Sequence, residues 1–148
     1  MRFREIAVLG LGNVGTLAAT LLHDADFDVT GFDNIKPKHT LPFKTASLDI
    51  SSSVALKKAL EPFEAVLSCL PYHLNKDVAK AAHGLGLHYF YLTEDVPTTQ
   101  AIWKMSKTAK GVMAPQCGLA PGFIGIVGAH LAEQFETVRS IKLRVGAL

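Results

Sequence analysis

Two hydrophobic patterns alternate along the chain. Glu5–Leu9 (EIAVL) is a short continuous apolar run, the kind carried by a parallel strand buried on both faces. From Val14 the apolar residues fall at positions 14, 17, 18, 21 and 22, the spacing of a helix face. Residues 27–33 (FDVTGFD) read as a second strand, residues 36–42 (KPKHTLP) as a loop and residues 45–49 as a weaker strand. The serines at 51, 52 and 53 offer a cap for a helix running to about Leu60, which Pro62 stops. A clear strand follows over residues 64–70 (EAVLSCL), then a helix carrying Leu74, Val78, Ala81, Ala82 and Leu85 and ending in Gly84 and Gly86. Residues 88–92 (HYFYL) predict a strand, 97–110 a helix with Pro97 near its first turn, and 111–114 a short strand. Phe123, Ile126, Val127 and Leu131 line a last helix, with Pro121 expected in its first turn, and residues 137–145 alternate as a strand.

Strands alternating with helices at these crossover lengths predict an α/β fold. It is a Rossmann-type doubly wound parallel sheet of about six strands with helices on both faces. With 148 residues, and no internal repeat or obvious linker, the expectation is one such domain over residues 1–136.

That context gives meaning to Gly10-Leu11-Gly12-Asn13-Val14-Gly15, which follows a strand and opens a helix. Gly10 permits the tight turn, Gly12 lets the backbone approach a pyrophosphate, and Gly15 lets helix and strand pack closely. The amides and positive dipole end of the first helix then face the phosphates. The fingerprint asks for an acid roughly 20 residues further on, at the end of the second strand, and Asp33 stands there. A carboxylate at that place pairs with a free ribose 2′-hydroxyl and repels a 2′-phosphate. The expected cofactor is therefore NAD, with NADP as the alternative. Asn34 follows where an NADP site would favour arginine, although Lys36, Lys38 and His39 are close in sequence. Tyr72-His-Leu-Asn-Lys76 matches the Y-x-x-x-K of short-chain dehydrogenases, but it sits directly after the fourth strand rather than on a later helix. Tyr72 could reach a nicotinamide from there, or simply be a tyrosine at the solvent edge.

Composition narrows the class. Hydrophobic residues make up 49%, charged residues 19%, mean hydropathy is +0.24 and the net charge is +2 without a basic face. This argues against disorder and against a nucleic-acid partner. No apolar run reaches the roughly 18–20 residues of a membrane span, and the N-terminus makes a poor signal peptide. Cys69 and Cys117 lack C-x-x-C spacing and the six histidines are scattered, so no metal site is expected. The thiols read as free and buried in a reducing cytoplasm.

VLGLGNVG, the Ser47-Leu-Asp49-Ile50 stretch, VLSCLPYHLN, GLHYFYLTED and above all QCGLAPGFIGI resemble the saccharopine dehydrogenase/reductase-like family. That family includes lysine 6-dehydrogenase and carboxynorspermidine dehydrogenase-like members, and the resemblance runs over nearly the whole chain. It implies an NAD(P)-dependent oxidoreductase that moves a hydride at the C–N bond of a small amino-acid-like substrate. It also implies backbone contacts from Leu11 to Val14 with pyrophosphate, and Asp33 at the ribose. Asp49 and Ile50 would lie around the adenine, and Cys69, Leu70 and Pro71 along the nicotinamide side. Asp49 could instead cap a helix, and Ile50 could be core.

Two departures stand out. Tyr91 replaces an aspartate that many members carry, although Glu94 and Asp95 are near. Members also continue into a substrate-binding, dimer-forming domain, and residues 137–148 look like its first strand, so a homodimer is expected at full length. The general base is open between Tyr72, Asp95 and a residue elsewhere. A regulatory nucleotide-sensing module, like those of potassium channels, shares the glycines and the strand-end acid, but has no evident need for Gly118-Leu-Ala-Pro121-Gly122. In that segment Gly118 and Gly122 would let the backbone come close to something that a Cβ would push away, and the segment would form the floor beneath the nicotinamide side or be an ordinary strand-to-helix turn.

Overall fold

The computed structural model describes residues 3–35, 37 and 39–146. Lys36 and Lys38, weighed above as neighbours of Asp33, lie outside the described residues. The elements are β1 (Glu5–Leu9), α1 (Asn13–Asp24), β2 (Asp28–Asp33), β3 (Lys44–Ser47), α2 (Ser53–Leu60) and β4 (Ala65–Ser68). They continue with α3 (Asn75–Leu85), β5 (His88–Tyr91), α4 (Val96–Ser106), β6 (Met113–Ala114) and α5 (Phe123–Ala132).

All six strands pair in parallel in the order β3-β2-β1-β4-β5-β6. This is the Rossmann order, and it reverses between β1 and β4. β1 is central because its apolar run fits a position covered on both sides: Ile6, Ala7, Val8 and Leu9 are all buried. Alternate strand residues feed two cores. Ala7, Leu9, Val66, Tyr89 and Tyr91 join Leu56, Val78 and Ile102 of α2, α3 and α4, whereas Ile6, Val8, Val29 and Ala65 join Ala19 of α1. α2 is capped by Ser52, whose side chain accepts from the Ala55 amide, and α3 closes on left-handed Gly86.

Three expectations change. Residues 137–146 form no strand: no neighbouring strand offers them a backbone ladder, so their alternation stays unexpressed, with Val138, Ile141, Leu143 and Val145 partly exposed. Pro121 does not enter the last helix. The Ala120–Pro121 peptide is cis, α5 starts at Phe123, and Gly122 takes the capping position with φ +132°. Finally, the buried stripe of α1 is Gly15 and Ala19, while Val14, Leu17 and Leu21 face outward.

Candidate dinucleotide-binding site

The glycine loop is built by backbone geometry. β1 ends at Leu9, the Gly10 amide continues the ladder to the Phe32 carbonyl (2.8 Å), and Gly10 turns at φ +88°, where a side chain would be strained. A Cβ on Gly15 would run into the Gly10 carbonyl oxygen, so glycine there is what lets α1 start hard against the strand end. Gly12 caps α1 with no side-chain hydrogen bond, and a Cβ placed on it would meet nothing within 4 Å. The amides of Asn13, Val14 and Gly15, in the first turn of α1, have no intrahelical carbonyl to bond. Open space before a row of free donors at a positive dipole end suits a diphosphate. The residues present therefore fit the group that the fingerprint implies.

Asp33 ends β2 beside this loop. Its Oδ2 accepts from the Leu11 amide (2.6 Å) and its Oδ1 from the Ile35 amide (2.9 Å), so the carboxylate is fixed in place with lone pairs left over. A cleft of about 460 Å³ opens at the reversal of strand order. Gly10, Gly12, Asp33 and Asn34 line one part of it. Asp49 and Ile50, after β3, line a second part, and Cys69, Leu70 and Pro71, after β4, line a third. Leu11, Asn13, Val14 and Gly15 shape the loop without lining the cleft; Val14 is 59% exposed.

Asp49 does not cap a helix. Its Oδ1 accepts from the side chain (2.6 Å) and the amide (2.9 Å) of Ser51, which hold its carboxyl below the usual range. Its Oδ2 has no protein partner among the described residues. Burial pushes the Cys69 thiol up to about 11, so it is neutral at physiological pH. Cys117, expected to be buried, is exposed.

The candidate bases separate. Tyr72 lies in the 3-10 turn Tyr72–Leu74, 56% exposed at the carboxyl end of the sheet and next to Pro71 of the cleft. Asp95 instead caps α4, accepting from the Thr98 amide at 2.9 Å, and bonds from Thr98 hold its carboxyl below the usual range. A carboxylate so engaged is a poor base, and it does not line the cleft. Tyr91 is buried with its hydroxyl bonded to Thr99 (2.5 Å).

Sequence reasoning missed a buried network behind the cleft. Ser68 donates to Asn75 Oδ1 (2.7 Å), as does the Tyr89 hydroxyl (3.0 Å), and these bonds tie β4, α3 and β5 together. Asn75 stands one residue past Leu74 at the start of α3, where only its helical spacing among apolar neighbours signals burial. Leu48, Ser51 and Leu74 also line the cleft unforeseen.

Fold and cleft define the class: an NAD(P)-binding domain of the Rossmann type. The family model of the saccharopine dehydrogenase NADP binding domain matches residues 6–114, and the chain belongs to that family. Among solved structures, apo saccharopine dehydrogenase (L-Glu forming) from Saccharomyces cerevisiae superposes with a TM-score of 0.65 at 22% identity, over 88% of this chain and 30% of that one. MoeE5 in complex with UDP-glucuronic acid and NAD gives 0.57 at 15% identity, over 72% and 52%. A mutated uronate dehydrogenase gives 0.53 at 13%, over 64% and 40%. At these identities the likeness is one of fold, and the chain spans under a third of the length of the yeast enzyme. No helix among the described residues is long and apolar enough to cross a membrane.

Proposed function

We propose that the chain is the cofactor-binding part of an oxidoreductase that prefers NAD and moves a hydride at the C–N bond of an amino-acid-like substrate. The observation that carries this reading is the shared cleft: Asp33, the glycine loop and the strand-end segment 69–71 meet where the strand order reverses. When bound, the nicotinamide supplies the hydride acceptor. The protein's own part is to hold and orient. The amides of α1 take the diphosphate, and the spare lone pairs of Asp33 take the adenosine ribose hydroxyls. Asp49 Oδ2 and Ile50 meet the adenine, and Cys69 to Pro71 lead towards the nicotinamide. The family's name speaks of NADP, but a fixed carboxylate at Asp33 opposes a 2′-phosphate and supports NAD. Tyr72 is the base candidate best placed within this chain.

The exposed apolar side chains of α5, with Phe123 62% and Ile126 72% exposed, support contact with a further domain of the same enzyme, to which residues 137–148 would lead. The test is label transfer. The protein in its full reading frame, given NAD and amino acids deuterated at the carbon bearing nitrogen, should form deuterated NADH. NADH formed without label from any amine, or formed only from alcohol substrates, contradicts the reading.

A further inference from the structure

Leu11, between the first two glycines, is held on every side. Its amide donates to Asp33 Oδ2 at 2.6 Å, and its carbonyl accepts from the Thr16 hydroxyl at 3.0 Å. Its side chain lies over Gly31 in the middle of β2, where a Cβ would sit 2.6 Å from Leu11 Cδ2. A loop residue with both peptide groups bonded and its side chain seated has lost most of its freedom before any ligand arrives.

We propose that Thr16, Gly31 and Asp33 are positioning residues that clamp Leu11 and so preform the phosphate cradle. This rests on the reading of the cleft as a dinucleotide site. Asp33 then has two separable duties. One is to the ribose, and the other is to the loop and is independent of the ribose. Exchanging Asp33 for a small residue would therefore not simply convert NAD preference into NADP preference. It would loosen the grip on the diphosphate that both cofactors share. Thr16 contributes to binding although its bond runs to backbone and not to the ligand. A Cβ at Gly31 would crowd both Leu11 and Phe43 and push the Leu11 side chain aside.

The two duties can be separated with ADP and 2′,3′-dideoxy-ADP, which keeps adenine and diphosphate but offers Asp33 no hydroxyl. If Asp33 served only the ribose, Asp33→Ala would leave dideoxy-ADP affinity unchanged. The clamp predicts that it falls about 3- to 10-fold, the worth of one hydrogen bond. Asp33→Asn keeps an acceptor for the Leu11 amide but turns its NH2 toward the Ile35 amide, so dideoxy-ADP affinity should fall less than in Asp33→Ala. Thr16→Val should weaken ADP and dideoxy-ADP alike by a similar factor, with Thr16→Ser restoring both. Amide hydrogen exchange on the ligand-free chain gives a second readout. Leu11 should be protected in the wild type and lose roughly tenfold in protection in Asp33→Ala, with the melting temperature and other β1 amides monitored as controls. The clamp is overturned if dideoxy-ADP affinity is indifferent to both Asp33→Ala and Thr16→Val. It is also overturned if the wild type binds ADP but no dideoxy-ADP, or if the Leu11 amide exchanges freely. The exchange arm uses no ligand, so a chain that binds no ADP but protects Leu11 in this manner would keep the clamp and sink the cofactor reading.

Discussion

Cys69 and Cys117 show how two residues of one type take different chemistry from their surroundings. Cys69 is half-buried just after β4, and burial raises its thiol pKa to about 11. Cys117 is exposed on the loop after β6, and what burial it has also pushes its thiol upward. Thiolate is the reacting form, so both thiols are slow at neutral pH, and Cys69, the less exposed, is the slower. Iodoacetamide at pH 7, followed by peptide mass spectrometry, should label Cys117 first, and added NADH should slow labelling of Cys69 further because that residue lines the cleft. Cys69 labelled before Cys117, or unaffected by NADH, would count against this placement. At this scale the sequence was readable where chemistry follows from position in a motif. Gly10, Gly15 and Asp33 stand where the fingerprint demands. It was unreadable where a role depends on a partner far along the chain, as with Asn75 meeting Ser68 and Tyr89, or Tyr91 meeting Thr99.

Elements were legible where local pattern and tertiary setting agree. β1 and β4 are short apolar runs, and both came to lie inside the sheet. The apolar spacing of α1 was real, but its heavier stripe faces out, because the close approach at Gly15 selects the small residues for the buried side. The segment after β6 depends on its tertiary setting in a similar way. Gly118 and Gly122 were expected to allow a close backbone approach, and what approaches is the chain itself: a Cβ on Gly122 would strike the Gly118 carbonyl and one on Gly118 would sit 2.6 Å from the Leu92 carbonyl. The room is already used by the chain itself. Gly122→Val should therefore cost stability, about 2 kcal/mol or more from strain and crowding, and lower the melting temperature by roughly 5 °C. Cofactor affinity of the folded fraction should change little. A stable variant with weak binding would restore the ligand-facing role.

Helix α4 carries a pH dependence. Its Asp95 cap has a depressed carboxyl pKa in the folded state, so its stabilisation is present above the unfolded value and fades as pH falls through the folded one. The melting-temperature gap between wild type and Asp95→Ala should hold steady from about pH 7 to 5 and shrink below about pH 4. A gap that widens on acidification would rule out the cap as its source.

At the scale of the whole molecule, the layered sheet places every ligand-facing segment at one edge, because each strand of a parallel sheet ends on the same side. That arrangement was legible from the alternation of patterns alone. The surfaces were not. Val14, Leu17 and Leu21 on α1, and Phe123, Ile126 and Leu131 on α5, are apolar and more than half exposed, and a hydrophobic pattern does not say whether its cover comes from the same domain. Residues 137–146 carry the same ambiguity, being patterned for a strand that finds no sheet.

The claim that joins these scales is that a fixed Asp33 beside an open helix N-terminus makes an NAD-selective dinucleotide site. Calorimetric titration of the chain with NADH and with NADPH, at one salt concentration, tests it most directly. The account predicts saturable one-to-one binding of NADH, weaker binding of NADPH, and a narrower gap in Asp33→Ser. Tighter binding of NADPH by the unaltered chain, or no binding of either, would contradict it.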